Sequence, residues 1–201
     1  MGNIQKYYDN TENNPPNKNI VKFINLKTPK GKAIELGCGA GRDTIYLIKN
    51  DWNVLAIDRE DVEDRIKRRL VEQEYLEKFR FQKQDFENLV IEENDLVVAN
   101  YSLPFCNKNQ FQKLWNIIKN SISKKGYFVG NFFGVNDEWN GLKNDMVFLN
   151  KEQVMELFED FELLEFEEDE DNRKTGMGVM KHWHLFWVVA RKKLKGEIEN
   201  G

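Results

Sequence analysis

Cysteine is scarce in this chain of 201 residues: Cys38 and Cys106 are the two present. Two are too few for a disulfide framework, and these lie too far apart for a zinc-ligand set, so reduced thiols and no metal site are expected. Histidine is equally rare, with only His182 and His184, and two of the four prolines stand together at Pro15 and Pro16. No apolar run approaches the roughly 18 residues that cross a bilayer, and the amino terminus MGNIQKYYDNTENNPP lacks the apolar core of a secretory signal. A cytoplasmic protein with no membrane partner is expected. A basic stripe is also missing and the net charge is -4. That balance argues against a domain that lives by holding nucleic-acid phosphates and favours a small-molecule partner, with the chain a monomer or homodimer.

What remains is ordinary globular composition, 40% apolar and 32% charged, in a length that suits a single domain spanning 1–201, with residues 1–28 as an amino-terminal cap and 29–195 as the core. Ile20 to Leu26 has a weak helical pattern. KAIELG, NVLAID, FRFQKQD, DLVVAN and YFVGNFF read as short strands, the fourth apolar enough to be buried on both faces. Between them GRDTIYLIKND, a charged segment from Val62 to Lys78, and FQKLWNIIKNSI read as helices. This alternation predicts an α/β fold: a Rossmann-like, mostly parallel seven-stranded sheet with helices on both faces. The last third departs from it. A short helix, KEQVMELFED, precedes FELLEFEE and HWHLFWVVARK, two strands linked by DEDNRKTGMG, which predict an antiparallel hairpin at the sheet edge. The acidic run at Glu165 to Glu170 reads as a solvated hairpin tip or, less simply, a cation site, and DRIKRR at Asp64 to Arg69 as an exposed helix face.

In AIELGCGAGRD a buried strand meets three alternate glycines. Ligands of parallel sheets sit at the carboxyl ends of the strands, and Gly37, Gly39 and Gly41 can adopt positive φ and let backbone approach a ligand, beside a helix start that favours anionic groups. A dinucleotide fingerprint would want a glycine where Arg42 stands, so the spacing is E-x-G-x-G-x-G, with Glu35 ending the strand and a second acid, Asp58, ending the next. An acid there can accept both hydroxyls of a ribose. An incidental Asp beside an ordinary turn is the plainer alternative.

ELGCGAGRD, AID ending at Asp58, QDFENL and VVANYSLPF resemble, in order, the motifs of class I S-adenosylmethionine-dependent methyltransferases, and GCGAGRD, SLPF and a late KHWH strand followed by ARK resemble the small tellurite-resistance (TehB-like) group. The resemblance implies S-adenosyl-L-methionine as cofactor. It implies that Gly37, Gly39 and the backbone around Cys38 hold the methionine part, Asp58 the ribose, Asp85 the adenine amino group and Phe86 the ring face. Asn100 would give its carbonyl to the methionine amino group, with Ser102 and Leu103 lining the wall and Tyr7 and Tyr8 as the aromatic pair of a lid. Tyr7 and Tyr8 read equally as core of the cap, and Arg42 reads either as a partner of the cofactor carboxylate or as an exposed partner of Asp43.

The implied activity is methyl transfer to a small acceptor such as a thiol or a chalcogen oxyanion, for which tellurite is the family's example. A soft acceptor of this kind needs little deprotonation. If a base is used, His182 and His184 are the candidates, on one face of a strand and open also to a metal, clamp or structural reading. Phe133, Asn136, Glu138 and Trp139 are expected around the acceptor. A non-catalytic S-adenosylmethionine-binding module and an NAD-dependent oxidoreductase are the competing readings.

Overall fold

The computed structural model describes residues 2–194, so Met1 and residue 195, the expected core boundary, lie outside the described residues. Strands β1 (Lys32–Leu36), β2 (Asn53–Asp58), β3 (Phe79–Lys83), β4 (Asn94–Ala99) and β5 (Ile122–Phe133) pair in parallel, while β6 (Phe161–Lys174) and β7 (Met180–Lys192) form an antiparallel pair joined to the sheet through β7 against β5. The order is β3-β2-β1-β4-β5-β7-β6. It reverses between β1 and β4, which puts a topological switch point where their carboxyl ends diverge.

The period-2 alternation of strand side chains splits the core into two layers. Ala33, Leu96, Val98, Val129 and Val189 face α2 (Lys18–Asn25) and α3 (Arg42–Lys49), whereas Ile34, Val97, Phe128, Phe132 and Val188 face α6 (Phe111–Ser121) and α7 (Lys151–Leu157). Each helix offers a matching stripe. In α6 it is Phe111, Leu114, Trp115 and Ile118, the i, i+3, i+4, i+7 spacing of one face. α7 is fixed at its start by Asn150 and Gln153, whose side chains each bond the other's backbone N–H.

The expected mostly parallel sheet, with helices on both faces and an antiparallel hairpin at its edge, is the observed one. Four local expectations need correction. The segment expected as one helix from Val62 to Lys78 is two single turns, α4 (Glu63–Lys67) and α5 (Gln73–Glu77). After α4 the chain tightens, with Arg69 N–H and Leu70 N–H donating to carbonyls three residues back. Leu70 is thereby buried and the Arg69 guanidinium donates to the Ala40 and Glu12 carbonyls, contacts that outweigh helix continuity. The fifth strand, expected as YFVGNFF, starts earlier: β5 begins at Ile122 and carries Lys125 at φ 63° beside a register shift against β4. The acidic run is not a hairpin tip, because β6 continues to Lys174 and the turn is confined to 175–179. Finally, the polar amino terminus contains a helix, α1 (Gly2–Thr11), that the sequence pattern does not announce.

Candidate functional site

All five parallel strands end at one edge of the sheet, and β7, being reversed, begins there. Across that edge lies a cavity of about 860 Å³. Following the strand order, its wall passes from Asp85 after β3, through Asp58, the Gly37 loop and Asn100, to Phe133 and then Lys181 and Trp183 on β7. Neighbouring strands are about 4.8 Å apart, so five strand spacings give this wall a span on the order of 24 Å.

The glycine loop forms the middle of the wall. Gly37, Gly39 and Gly41 have φ of 71°, 53° and 77°, the left-handed region that side chains resist. Space matters as much: a Cβ on Gly37 would stand 2.5 Å from Ser102 Cβ, so the β1 and β4 ends approach only because no side chain is there. The loop is tied to β2 by Gly37 N–H and Cys38 N–H, both donating to the Ile57 carbonyl. α3 follows with Gly41 at its start and no side chain capping its first turn. Its amino-terminal donors face the cavity side of the fold.

Asp58 is buried yet lines the cavity. Its Oδ2 accepts from Gly39 N–H at 2.8 Å and its Oδ1 from Glu60 N–H at 3.0 Å. Each oxygen keeps acceptor capacity, with Tyr8 Oη 3.5 Å from Oδ1. Burial and the Asp58 carboxylate both hold the Tyr8 hydroxyl in its protonated form, pushing its pKa up.

Beside the loop, Asp43 is fully enclosed and accepts from Asn17 N–H, from the Asn17 amide and from the Asn100 amide at 2.9, 2.6 and 2.9 Å. Arg42 donates to Asn17 Oδ1 at 2.6 Å, and its Nε stands 3.9 Å from Asp43. Arg42 thus lines the cavity while bound on its other side to the segment that follows α1. Asn19 completes the network by donating to Asn100 Oδ1 and the Gly130 carbonyl. Glu35, also lining, is buried at the end of β1 and accepts a very short bond from Thr44 Oγ1. Burial, then the Asp43 charge, pushes its pKa well above the ordinary carboxyl value, so it is held neutral.

α1 covers this region. Tyr7 and Tyr8 line the cavity and pack edge to face, 5.9 Å between centroids. Arg65 bonds Asp9 and Glu12, while Asn10 donates to the Gly176 carbonyl in the β6–β7 turn. The basic run Asp64 to Arg69, expected as a solvated face, therefore clamps α1.

Of the residues named from the sequence, Tyr7, Glu35, Gly37, Cys38, Gly39, Arg42, Asp58, Asp85, Phe86, Asn100, Ser102, Phe133, Glu138 and Trp139 share the one cavity. Leu103 does not: it is fully buried in the core on the α6 side. Asn136 is likewise turned away, its N–H donating to His184 Nδ1 and its amide to Glu170. The two histidines are a correction as well. β7 alternates, so Lys181 and Trp183 face the cavity while His182 and His184 project from the opposite face. There His182 meets Asn172 and Glu170, and His184 meets Glu168 at 3.2 Å. They answer the acidic run, which is a charge-paired strand, with Glu165, Glu167 and Asp169 meeting Lys22 and Lys18 on α2. Among the described residues no group of three or more His, Cys, Asp or Glu is arranged to hold a metal ion, and no helix is long and apolar enough to cross a membrane.

Three participants escape the sequence pattern. Lys181 and Asp137 form an almost wholly buried ion pair, 2.5 Å from Nζ to Oδ2. The ammonium also lies 3.7 Å from the Trp183 ring centroid and 4.5 Å from that of Trp139. Burial lowers the Lys181 pKa, and Asp137 opposes that shift. Arg173, whose Nη1 bonds Asp169, lines the cavity with a buried Nη2 that has no protein partner. The alternation of Lys181 with Trp183 was the available signal, but its face depends on register.

The fold is that of the class I methyltransferases. Solved structures with it include NodS N-methyltransferase from Bradyrhizobium japonicum in complex with S-adenosylhomocysteine, 13% identical at a TM-score of 0.68 over 95% of this chain and 97% of that one. A second is the 1,6-didemethyltoxoflavin N1-methyltransferase of Burkholderia thailandensis, 17% identical at 0.66 over 88% and 78%. The chain belongs to the tellurite resistance protein TehB family, whose model matches residues 3–177. TehB from Haemophilus influenzae is 18% identical with a TM-score of 0.72 over 88% of this chain, which spans 62% of the length of that protein. The family match stops short of β7, so the KHWH likeness lies outside it. No curated protein matches the chain in sequence.

Proposed function

We propose that the chain is an S-adenosylmethionine-dependent methyltransferase acting on a small-molecule acceptor. The observation that carries this reading is the Gly37–Gly41 loop, three left-handed glycines facing the buried Asp58 at the sheet's switch point, in a chain of the TehB family. The residues fit the cofactor. The absence of a Cβ at Gly37 lets Ser102, whose buried Oγ has no protein partner, stand against the loop, and Asp58 retains acceptor capacity on both oxygens.

In this reading Asp58 takes the ribose hydroxyls, Asp85 and Phe86 the adenine, and the loop around Cys38 with Asn100 and Ser102 the methionine part. Arg42 meets the carboxylate from the side opposite Asn17. Tyr7, on α1, closes the cavity from above, and Glu35, held neutral behind the loop, adds no second negative charge there. When bound, S-adenosylmethionine supplies a methyl group already activated by its sulfonium. The chain's task is then orientation and exclusion of water, effects that can supply on the order of 7–11 kcal/mol of a barrier without a strong base.

A soft acceptor suits the groups beyond Asn100. With the histidines outside, the titratable side chains there include Tyr101, whose hydroxyl is pushed up to about 12 by burial, Lys181, neutralised by Asp137, and Glu138, whose Oε2 already accepts from His182 N–H. The first two are not poised to deprotonate an alcohol and Glu138 is the one carboxylate among these three, so thiols and chalcogen oxyanions, which need no strong base, are the first acceptors to screen. An NAD enzyme is disfavoured by Arg42 at the last fingerprint position. The reading is checked by release of S-adenosylhomocysteine from S-adenosylmethionine with those acceptors. Acceptor-dependent release supports an enzyme, and cofactor binding with no release from any acceptor supports the non-catalytic module.

A further inference from the structure

The far end of the cavity, past Asn100, is walled by aromatic rings. Tyr101, Phe105, Phe133, Trp139 and Trp183 all line it. They are in mutual contact, with Tyr101 5.8 Å from Trp183, Phe133 5.6 Å from Trp183, Phe105 5.9 Å from Phe133 and Trp139 5.7 Å from Trp183. Core packing alone does not account for them. Phe105 is 48% exposed and Trp139 half-buried, so apolar ring surface is left facing the cavity.

The buried charge in this box is paired. Lys181 donates to Asp137 and to the His182 carbonyl, and its ammonium otherwise rests on the faces of Trp183 and Trp139. Cation–π contact with a desolvated ammonium is attractive, so Lys181 favours the observed placement of both indoles. Asp137 is itself pinned, accepting from Trp139 N–H and His184 N–H. The pair is therefore an internal strut that sets the walls. A ligand entering the box meets ring edges and faces and a neutral ion pair, with the Lys143 ammonium, 3.7 Å from the Trp139 centroid, and the Glu138 carboxylate at its rim, a surface that rewards a flat unsaturated group because aromatic pairs gain about 0.5–1.5 kcal/mol beyond their buried area.

We infer that this box is the acceptor subsite and that it takes an aryl or heteroaryl molecule, its ring packed against Phe105 and Trp139, the two rings left accessible, and its sulfur or nitrogen turned toward the Asn100 side. This rests on the methyltransferase reading for its role, but not for its existence as a binding site. Lys181 is a positioning residue here, acting through the two tryptophans.

Two neutral thioethers that differ only in ring unsaturation, thioanisole and cyclohexyl methyl sulfide, test the inference by calorimetry and tryptophan fluorescence on the full chain, alone and with S-adenosylhomocysteine. Thioanisole should bind about threefold to tenfold tighter, the factor that the aromatic contribution converts to. Trp139→Ala, at a half-buried position that should fold normally, should erase that preference while leaving S-adenosylhomocysteine affinity unchanged. Equal binding of the two sulfides, or a preference that survives Trp139→Ala, overturns the inference. Failure of S-adenosylhomocysteine to bind at all would strike the methyltransferase reading instead, and the sulfide comparison on the chain alone would still decide the box.

Discussion

Asp58 carries two duties at one carboxylate. It fixes the glycine loop through Gly39 N–H and leaves acceptor positions toward the cavity. Asp58→Ala should weaken S-adenosylmethionine binding by roughly ten- to a hundredfold, as loss of charge-assisted bonds implies. Calorimetry reads this directly, and unchanged affinity would remove Asp58 from the ribose position. His182 supplies the contrast. Its side chain meets Glu170 and Asn172 on the far face of β7, so His182→Ala should leave both cofactor affinity and turnover within about twofold. Glu35 gives a pH signature. Burial and the Asp43 charge hold its folded pKa well above the ordinary carboxyl value, so the native state holds a proton that the unfolded chain releases. Stability is greatest below that value and falls as pH rises toward the folded pKa. Glu35→Gln should flatten this decline, seen as a smaller drop in thermal midpoint as pH is raised from the ordinary carboxyl range, and a decline as steep as in the native chain would show that another group causes it.

At the scale of elements, α1 is held from outside itself. Its sequence is mostly polar, with only Ile4, Tyr7 and Tyr8 as a short apolar stripe, and a short helix of this kind is marginal alone. Arg65 with Asp9 and Glu12, Arg69 with the Glu12 carbonyl, and Asn10 with Gly176 hold it across the cavity. Partly exposed ion pairs contribute about 0.2–1 kcal/mol each, so Arg65→Ala should speed amide exchange in residues 4–11 and weaken cofactor binding by about threefold to tenfold, with the strand amides unaffected. Unaltered exchange in α1 would mean that Tyr7 and Tyr8 hold it without the clamp. The same tertiary hold explains why α1 was not legible in the sequence, and why the charged stretch after Val62 breaks into two turns. Hydrophobic periodicity reports what an element buries in the core, and α1 buries chiefly Tyr8.

For the molecule as a whole, the parallel strands were legible because their apolar runs are short, continuous and separated by turn residues, and the glycine loop because its spacing has one geometric use. The hairpin was legible in kind but not in extent. An acidic run looks like a loop until Lys18, Lys22 and the two histidines are seen to answer it from α2 and β7. The face of β7 was not legible, since a one-residue change of register exchanges Lys181 and Trp183 for His182 and His184. Leu103 shows the same limit, one residue beyond Ser102 yet in the core. The loop, Asp58, Asn100 and the cavity that joins them converge on one claim, that this edge of the sheet binds S-adenosylmethionine. Isothermal calorimetry of the full chain with S-adenosylhomocysteine and with NAD tests it most directly. Micromolar binding of S-adenosylhomocysteine with none of NAD is the predicted result, and binding of NAD alone would contradict it.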